Sequence, residues 1–266
     1  MSVAYIASGF VVSFLIGLTG LGGGSIMTPL LVLVFSVKPA VAVGTDLIYA
    51  AVTKSGGILA HQSRGTIEWK IVRLLTIGSI PATIVSIACL RHMDKIGFQV
   101  DAVIIDILGI VLIATSLLLL FRNKLILLSQ QKHFSTVRSI HPKYRSVMTV
   151  FAGAMIGSLV TFSSVGAGVL GTAILILLYP RLPATNIIGT DLVHAVPVTT
   201  IAGMGHIQLG TVDFLLLANL LLGSLPGIYL GNLSGTILPD KFVRSLLASM
   251  LFVIGILFVT GLRISI

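Results

Sequence analysis

The sequence predicts an all-α, polytopic membrane protein with about eight transmembrane segments in two homologous four-segment repeats, segments 1 and 5 being broken or re-entrant. Of its 266 residues, 56% are hydrophobic and 9% charged, with a mean hydropathy of +1.10. That is too little polar material to coat a soluble globule. Apolar windows of about 17 to 25 residues, enough helix to cross a roughly 30 Å hydrocarbon core, recur along the chain. The windows lack the period-2 polar alternation of a membrane β-barrel, and a helix satisfies its own backbone in lipid.

The segments fall near 3–36, 40–60, 70–90, 102–121, 147–178, 184–205, 212–234 and 242–262. Residues 1–121 are expected to form the first membrane repeat, 122–146 a basic central loop and 147–266 the second repeat. Segment 1 lacks a basic leader and a small-residue cleavage pattern, and it is read as an uncleaved span. As helix its 34 residues would extend about 50 Å, too far for one straight crossing and barely enough for two. Gly17, Gly20, Gly22, Gly23 and Gly24 interrupt its middle, and Gly153, Gly157, Gly166, Gly168 and Gly171 interrupt segment 5 in the same way. If each long segment counts once, the halves point the same way; if twice, five crossings per half give an inverted repeat.

The repeat itself is read from landmarks at a constant offset. Gly44-Thr45-Asp46-Leu47 returns as Gly189-Thr190-Asp191-Leu192, 145 positions on. The same offset carries His61 onto His206, Gly65-Thr66 onto Gly210-Thr211, Glu68 onto Asp213, Gly78-Ser79 onto Gly223-Ser224 and Pro81 onto Pro226. One residue out of register, Gly22-Gly23-Gly24 falls on Gly166-Ala167-Gly168 and Pro39-Ala40 on Pro183-Ala184.

The formal charge of +9 resides in short stretches beside the spans. It reads as membrane orientation, and no nucleic-acid partner is expected. Arg122, Lys124, Lys132, Arg138, Lys143 and Arg145 cluster in a central stretch without Asp or Glu, which positive-inside logic puts in the cytoplasm. Cys89 is the single cysteine, so no disulfide forms within the chain. No GxxxxGK[ST], His-Glu-x-x-His or Gly-x-Ser-x-Gly sequence occurs, so an enzyme is not expected, nor is a cofactor. His61, His206, Glu68 and Asp213 lie at span ends and are read as interface markers, not as a metal site.

Duplicated halves with interrupted segments at matching positions are a design of secondary transporters, whose site lies at the repeat interface. The breaks at Gly22, Gly23, Gly24 and Ser25 and at Ser163, Ser164, Gly166 and Gly168 would turn backbone N–H groups at half-helix N-termini toward an oxyanion. The alternative is that these small residues only let helices approach closely, which is the reading adopted for Gly223, Gly227 and Gly231. Thr28 and Thr172 add hydroxyls.

Asp46 and Asp191 lie inside apolar runs, where a carboxylate costs roughly 2.5 to 3.5 kcal/mol and so faces a cavity or a partner. Either they exchange protons with the site, or Gly-Thr-Asp begins a helix and Thr45 and Thr190 cap it. Lys54 lies mid-segment and its repeat counterpart is Thr199. It either neutralises Asp46 or meets an anionic substrate directly. His194, one turn after Asp191, shares its proton, donates to the anion, or simply packs.

Gly20-Leu21-Gly22-Gly23-Gly24, Pro39-Ala40, Gly44-Thr45, His61 with Gly65-Thr66-Ile67-Glu68-Trp69, and Gly78-Ser79-Ile80-Pro81 together resemble the TauE/SafE sulfite-exporter family. The likeness continues through Gly166-Ala167-Gly168, Gly189-Thr190-Asp191 and Gly223-Ser224-Leu225-Pro226-Gly227, covering nearly all of the chain outside the central loop. The resemblance implies a multi-pass permease of the bacterial inner membrane that exports sulfite, organosulfonates or related sulfur-containing anions. Its expected partners are that small anion and the lipid bilayer. Moving an anion's charge would make transport sensitive to membrane potential, at about 2.3 kcal/mol per charge per 100 mV. A passive anion channel and a non-transporting scaffold or partner subunit are the competing readings.

Overall fold

The computed structural model describes residues 2–19, 26–63, 65–130, 142–166, 168–234 and 240–261. They form ten helices, and no strand occurs among the described residues. In chain order these are α1 (Ser2–Thr19), α2 (Met27–Val34), α3 (Pro39–Ser63), α4 (Trp69–Lys95), α5 (Val100–Gln130), α6 (Pro142–Ser163), α7 (Val169–Leu178), α8 (Ala184–Gln208), α9 (Phe214–Ser234) and α10 (Asp240–Thr260).

Five stretches are long and apolar enough to cross a membrane: Trp69–Lys95, Val100–Arg122, Tyr144–Ser163, Ala184–Gln208 and Phe214–Gly231. Val3–Leu15, Val169–Leu178 and Ser245–Thr260 are shorter apolar helices. The eight segments expected from hydropathy thus become five qualifying helices and several shorter ones. Segment 1 is divided into α1 and α2, and segment 5 into α6 and α7. α3 is long enough but carries Asp46, Lys54 and His61. α5 also runs as helix through Gln130, into the stretch expected to be loop.

Large apolar side chains cover much of the surface, while a set of polar and charged side chains is buried within an otherwise apolar interior. Phe151 and Leu215 are 73% and 76% exposed, and Val85, Leu222 and Leu225 face outward beside them. Asp46, Lys54, Asp191, His194 and sixteen Ser and Thr residues are buried among the described residues. Exposed side chains of that kind are stable only where lipid is the solvent.

The two halves interleave. α1 in the first half of the chain packs along α9 in the second, and α6 in the second half along α4 in the first. Both seams are backbone to backbone through glycine. A Cβ at Gly223 would lie 1.9 Å from the Ile6 carbonyl oxygen, and one at Gly78 1.9 Å from that of Val150. Gly223, Gly227 and Gly231 meet Ile6, Phe10 and Phe14 in turn, so α1 and α9 run parallel.

Two other pairs run antiparallel. On α3 and α8, Gly44 lies against His206 and Thr211, whereas Ile48 lies against Gly203. On α5 and α10, Gly109 meets Phe258 and Val259, and Ser116 donates to the Ala248 carbonyl at 2.8 Å. The turns joining α3 to α4 and α8 to α9 each contain a left-handed glycine, Gly65 (φ 62) and Gly210 (φ 70).

A cleft of about 1010 Å³ opens where α2, α4, α8 and α10 end and α3 and α5 begin. Lys38, Asp94, Asp101, Asp106 and His206 are among its lining residues. Arg122 and Lys124 lie toward the other end of α5, about 30 Å away at 1.5 Å per residue.

Candidate functional site

Asp46 and Asp191 sit well inside α3 and α8, which pack against each other through the middle of the molecule. Thr45 and Thr190 therefore do not cap their own helices. Each accepts a hydrogen bond from the N-terminus of a helix in the other repeat: Thr45 Oγ1 from Asp213 N at 3.1 Å, and Thr190 Oγ1 from Glu68 N at 3.0 Å. Glu68 and Asp213 immediately precede α4 and α9, so the Gly-Thr pairs stitch the halves together at symmetric points. Asn186 Nδ2 adds a 3.1 Å hydrogen bond to Glu68 Oε1.

Each carboxylate is held from the second half of a broken segment. The Thr28 hydroxyl, on α2, donates to Asp46 Oδ2 at 2.5 Å, and the Thr172 hydroxyl, on α7, donates to Asp191 Oδ2 at 3.1 Å. Thr28 and Thr172 are themselves repeat equivalents. Gly171 lies directly beneath the second carboxylate, since a Cβ there would be 1.9 Å from Asp191 Oδ1.

Ser164 brings the two repeats together. Its hydroxyl, in the break between α6 and α7, faces Asp46 of the other repeat without closing a hydrogen bond. Its own backbone is left-handed (φ 56), and Gly166 (φ 121) and Gly168 (φ 132) complete a turn that L side chains resist. Ser163 donates to Leu159 O at 2.6 Å and accepts from Val165 N at 3.2 Å, so its hydroxyl is engaged with the backbone of the break.

Lys54, 6% exposed, is within electrostatic reach of Asp191, of Asp46 and of His194. His194 is fully buried, with Nε2 2.9 Å from Ser79 Oγ on α4. The position equivalent to His194 is Tyr49, whose hydroxyl bonds Ser13, which lies 2.6 Å from Ser224, the equivalent of Ser79. Tyr49, Ser13, Ser79 and Ser224 were not singled out from the sequence as site residues. The offset that relates Asp46 to Asp191 also relates Tyr49 to His194, but a phenol and an imidazole do not announce themselves as one position.

Four buried polar atoms at this centre have no hydrogen-bond partner: Asp46 Oδ1, Asp191 Oδ1, Ser164 Oγ and His194 Nδ1. Buried polar groups are ordinarily satisfied, so four exceptions gathered in one place set this centre apart from the rest of the interior. Gly22, Gly23, Gly24 and Ser25 lie outside the described residues, as does the side chain of His61. His206, expected at an interface, is instead buried, and Nε2 is 3.0 Å from Thr161 O while Nδ1 is 2.8 Å from Thr211 Oγ1. It ties α8 to the end of α6, because the close approach of Gly44 to α8 encloses the imidazole. Among the described residues no three His, Cys, Asp or Glu come together as a metal site.

A helical chain with an apolar exterior and a buried ionic centre fed by broken helices has the build of a membrane transporter. The chain belongs to the TauE/SafE sulfite exporter family, which it matches over residues 5–258. It is 34% identical over 256 residues to a Bacillus subtilis (strain 168) protein named "Probable membrane transporter protein YjnA", covering 96% of this chain and 99% of that one. A Xylella fastidiosa (strain 9a5c) protein named "Probable membrane transporter protein" is 27% identical over 245 residues, 91% of this chain and 87% of its own. A Methanocaldococcus jannaschii protein, "Probable membrane transporter protein MJ0441", is 25% identical over 265 residues, 93% of this chain and 91% of its own. No solved structure matches the chain.

Proposed function

We propose that the protein is a secondary transporter that carries small sulfur-containing anions, sulfite or an organosulfonate, outward across the bacterial inner membrane. In this reading it is a multi-pass protein of two inverted repeats. Each repeat would comprise four crossings plus the half-helix α2 or α7, related by a pseudo-dyad in the membrane plane. Support comes from the antiparallel course of the equivalent helices α3 and α8, and of α5 and α10. An inverted pair can expose one central site alternately to either side by exchanging the conformations of its halves.

The observation that carries the functional reading is the convergence of equivalent groups from both repeats on one buried centre: Thr28 with Asp46, Thr172 with Asp191, and Lys54 within reach of both carboxylates. In the proposed cycle Lys54 supplies the positive potential for the anion, Ser164 and His194 offer polar atoms, and the Gly22–Ser25 and Ser163–Gly168 breaks supply backbone donors. Asp46 and Asp191 handle protons. The family name adds sulfite as the first cargo to try.

Export is supported by charge. The central stretch is basic, with Arg145 and Arg181 lining a small pocket of about 140 Å³ against Tyr179, whereas the opposite cleft is lined by Asp94, Asp101 and Asp106 with only Lys38. A basic inner mouth gathers anions and an acidic outer one speeds their release.

Counterflow in proteoliposomes tests the proposal. Preloaded sulfite, thiosulfate, sulfoacetate, methanesulfonate or benzenesulfonate should accelerate entry of its own labelled form, and acetate should not. No acceleration by any of the five would remove the sulfur-anion reading.

A further inference from the structure

We infer that the centre moves each unit of anionic charge together with one proton, so that carriage of a monovalent sulfonate is electroneutral symport with a single proton. This rests on the anion-transport reading above and replaces the potential-driven movement expected from the anion's charge alone.

The argument is a charge count in a buried place. α3 contributes Asp46, Tyr49 and Lys54, and α8 contributes Asp191 and His194, with His206 further along toward the cleft. The other elements packed against these two helices bring hydroxyls to the centre: Thr28 from α2, Ser79 from α4, Ser164 from the break and Thr172 from α7. Their ionisable residues lie toward the ends: Lys70, Arg73, Arg91, His92, Asp94 and Lys95 on α4, Asp101, Asp106, Arg122 and Lys124 on α5, and Lys143 and Arg145 on α6. The segment 20–25 is Gly-Leu-Gly-Gly-Gly-Ser and residue 167 is alanine, so neither adds a charge.

His194 counts as neutral, because Nδ1 is buried without an acceptor and an imidazolium would leave a charged N–H unpaired. Two carboxylates and one ammonium then leave a single uncompensated negative charge. A buried unpaired charge is the costliest arrangement available, so the empty centre holds one proton on a carboxyl. Asp46 Oδ1 and Asp191 Oδ1, both without partners, are where it sits. A bound monoanion restores the excess charge, and the second carboxyl takes a proton to cancel it. The increment is one proton per anionic charge, carried across with the cargo and released with it. Net movement then follows the product of the anion and proton gradients, and export proceeds when the outward anion gradient exceeds any inward proton gradient.

The carboxyls are interchangeable in this count. With Asp46→Asn the empty centre is already neutral and Asp191 takes the one proton that accompanies the anion; Asp191→Asn is the mirror case. With both replaced, Lys54 alone balances the anion and no proton is needed.

The test uses the full-length protein in liposomes containing a trapped pH dye, with labelled methanesulfonate and benzenesulfonate, both monovalent at any pH near neutral. Exchange at equal pH is measured first, then net flux at clamped potentials. The expected result is exchange, one proton taken up per sulfonate, about tenfold accumulation for a tenfold proton gradient at zero potential, and no response to potential alone. Each single Asn variant that exchanges should keep the one-to-one ratio, and the double variant should lose it and become potential-driven. Exchange with a flux that follows potential and moves no proton overturns the inference and leaves the transporter reading standing. So does a single Asn variant that exchanges without proton movement. No exchange of either sulfonate overturns sulfonate transport itself, and this inference with it.

Discussion

Threonine hydroxyls on half-helices orient both central carboxylates, and that small geometry sets the strictest residue-level demands. A hydrogen bond to a charged group contributes about 1.5–3 kcal/mol, so Thr28→Val and Thr172→Val should each slow counterflow about tenfold or more and lower the unfolding temperature in detergent, with the folded protein still monodisperse. Rates within a factor of two of wild type would show that the carboxylates do not need these donors. Gly171→Ala is predicted to be worse than either, because its methyl would occupy the space of Asp191 Oδ1. Counterflow should fall to background and Thr172→Val should add nothing to it. At this scale the sequence was informative where charge met lipid: Asp46, Lys54, Asp191 and His194 stand out because such residues are expensive in apolar runs. Ser79 and Tyr49 did not stand out, since a serine or tyrosine in a membrane helix costs little and is common. Of the two readings open for Gly-Thr-Asp, capping of its own helix does not hold, because a local pattern cannot reveal that the helix start Thr45 or Thr190 accepts from lies in the other half of the chain.

Among the elements, the two breaks were legible, and so was the α1–α9 seam through Gly223, Gly227 and Gly231; Gly153 and Gly157, expected to interrupt segment 5, instead lie within α6 and pack on α4. The segment count was not legible. Glycines clustered inside apolar runs show where a helix breaks, and Gly166 and Gly168 do adopt backbone that other residues resist. Hydropathy counts only how apolar a stretch is, so it treated α1 with α2 as one segment and could not see that each half of the chain packs on the other. The glycine seam makes a stability prediction. Gly223→Ala forces a methyl into the Ile6 backbone, and overpacking of this kind costs about 1–3 kcal/mol. A lower unfolding temperature in detergent is expected, with an equal loss for Gly78→Ala at the equivalent seam. If only one of the two destabilises, the seams are not equivalent.

For the whole molecule, the acidic cleft lies at the start of α5 and the basic residues Arg122 and Lys124 toward its opposite end. Asp94→Cys should react with a membrane-impermeant maleimide in intact cells, and Arg145→Cys only after the membrane is opened. Labelling of both from one side would contradict the sidedness on which export rests. The central claim is that the two repeats share one ionic centre, and their pseudo-symmetry offers a direct test of it. Lys54 has Thr199 as its counterpart, a buried residue on α8. Moving the ammonium across, with Lys54→Thr and Thr199→Lys in the same chain, should return it to the same pair of carboxylates from the other side. The measurement is sulfite counterflow in proteoliposomes. The shared-centre account predicts near-background exchange for Lys54→Thr and recovery of at least a third of wild-type rate in the double variant. A double variant that is monodisperse, unfolds at the wild-type temperature and still fails to exchange would contradict it.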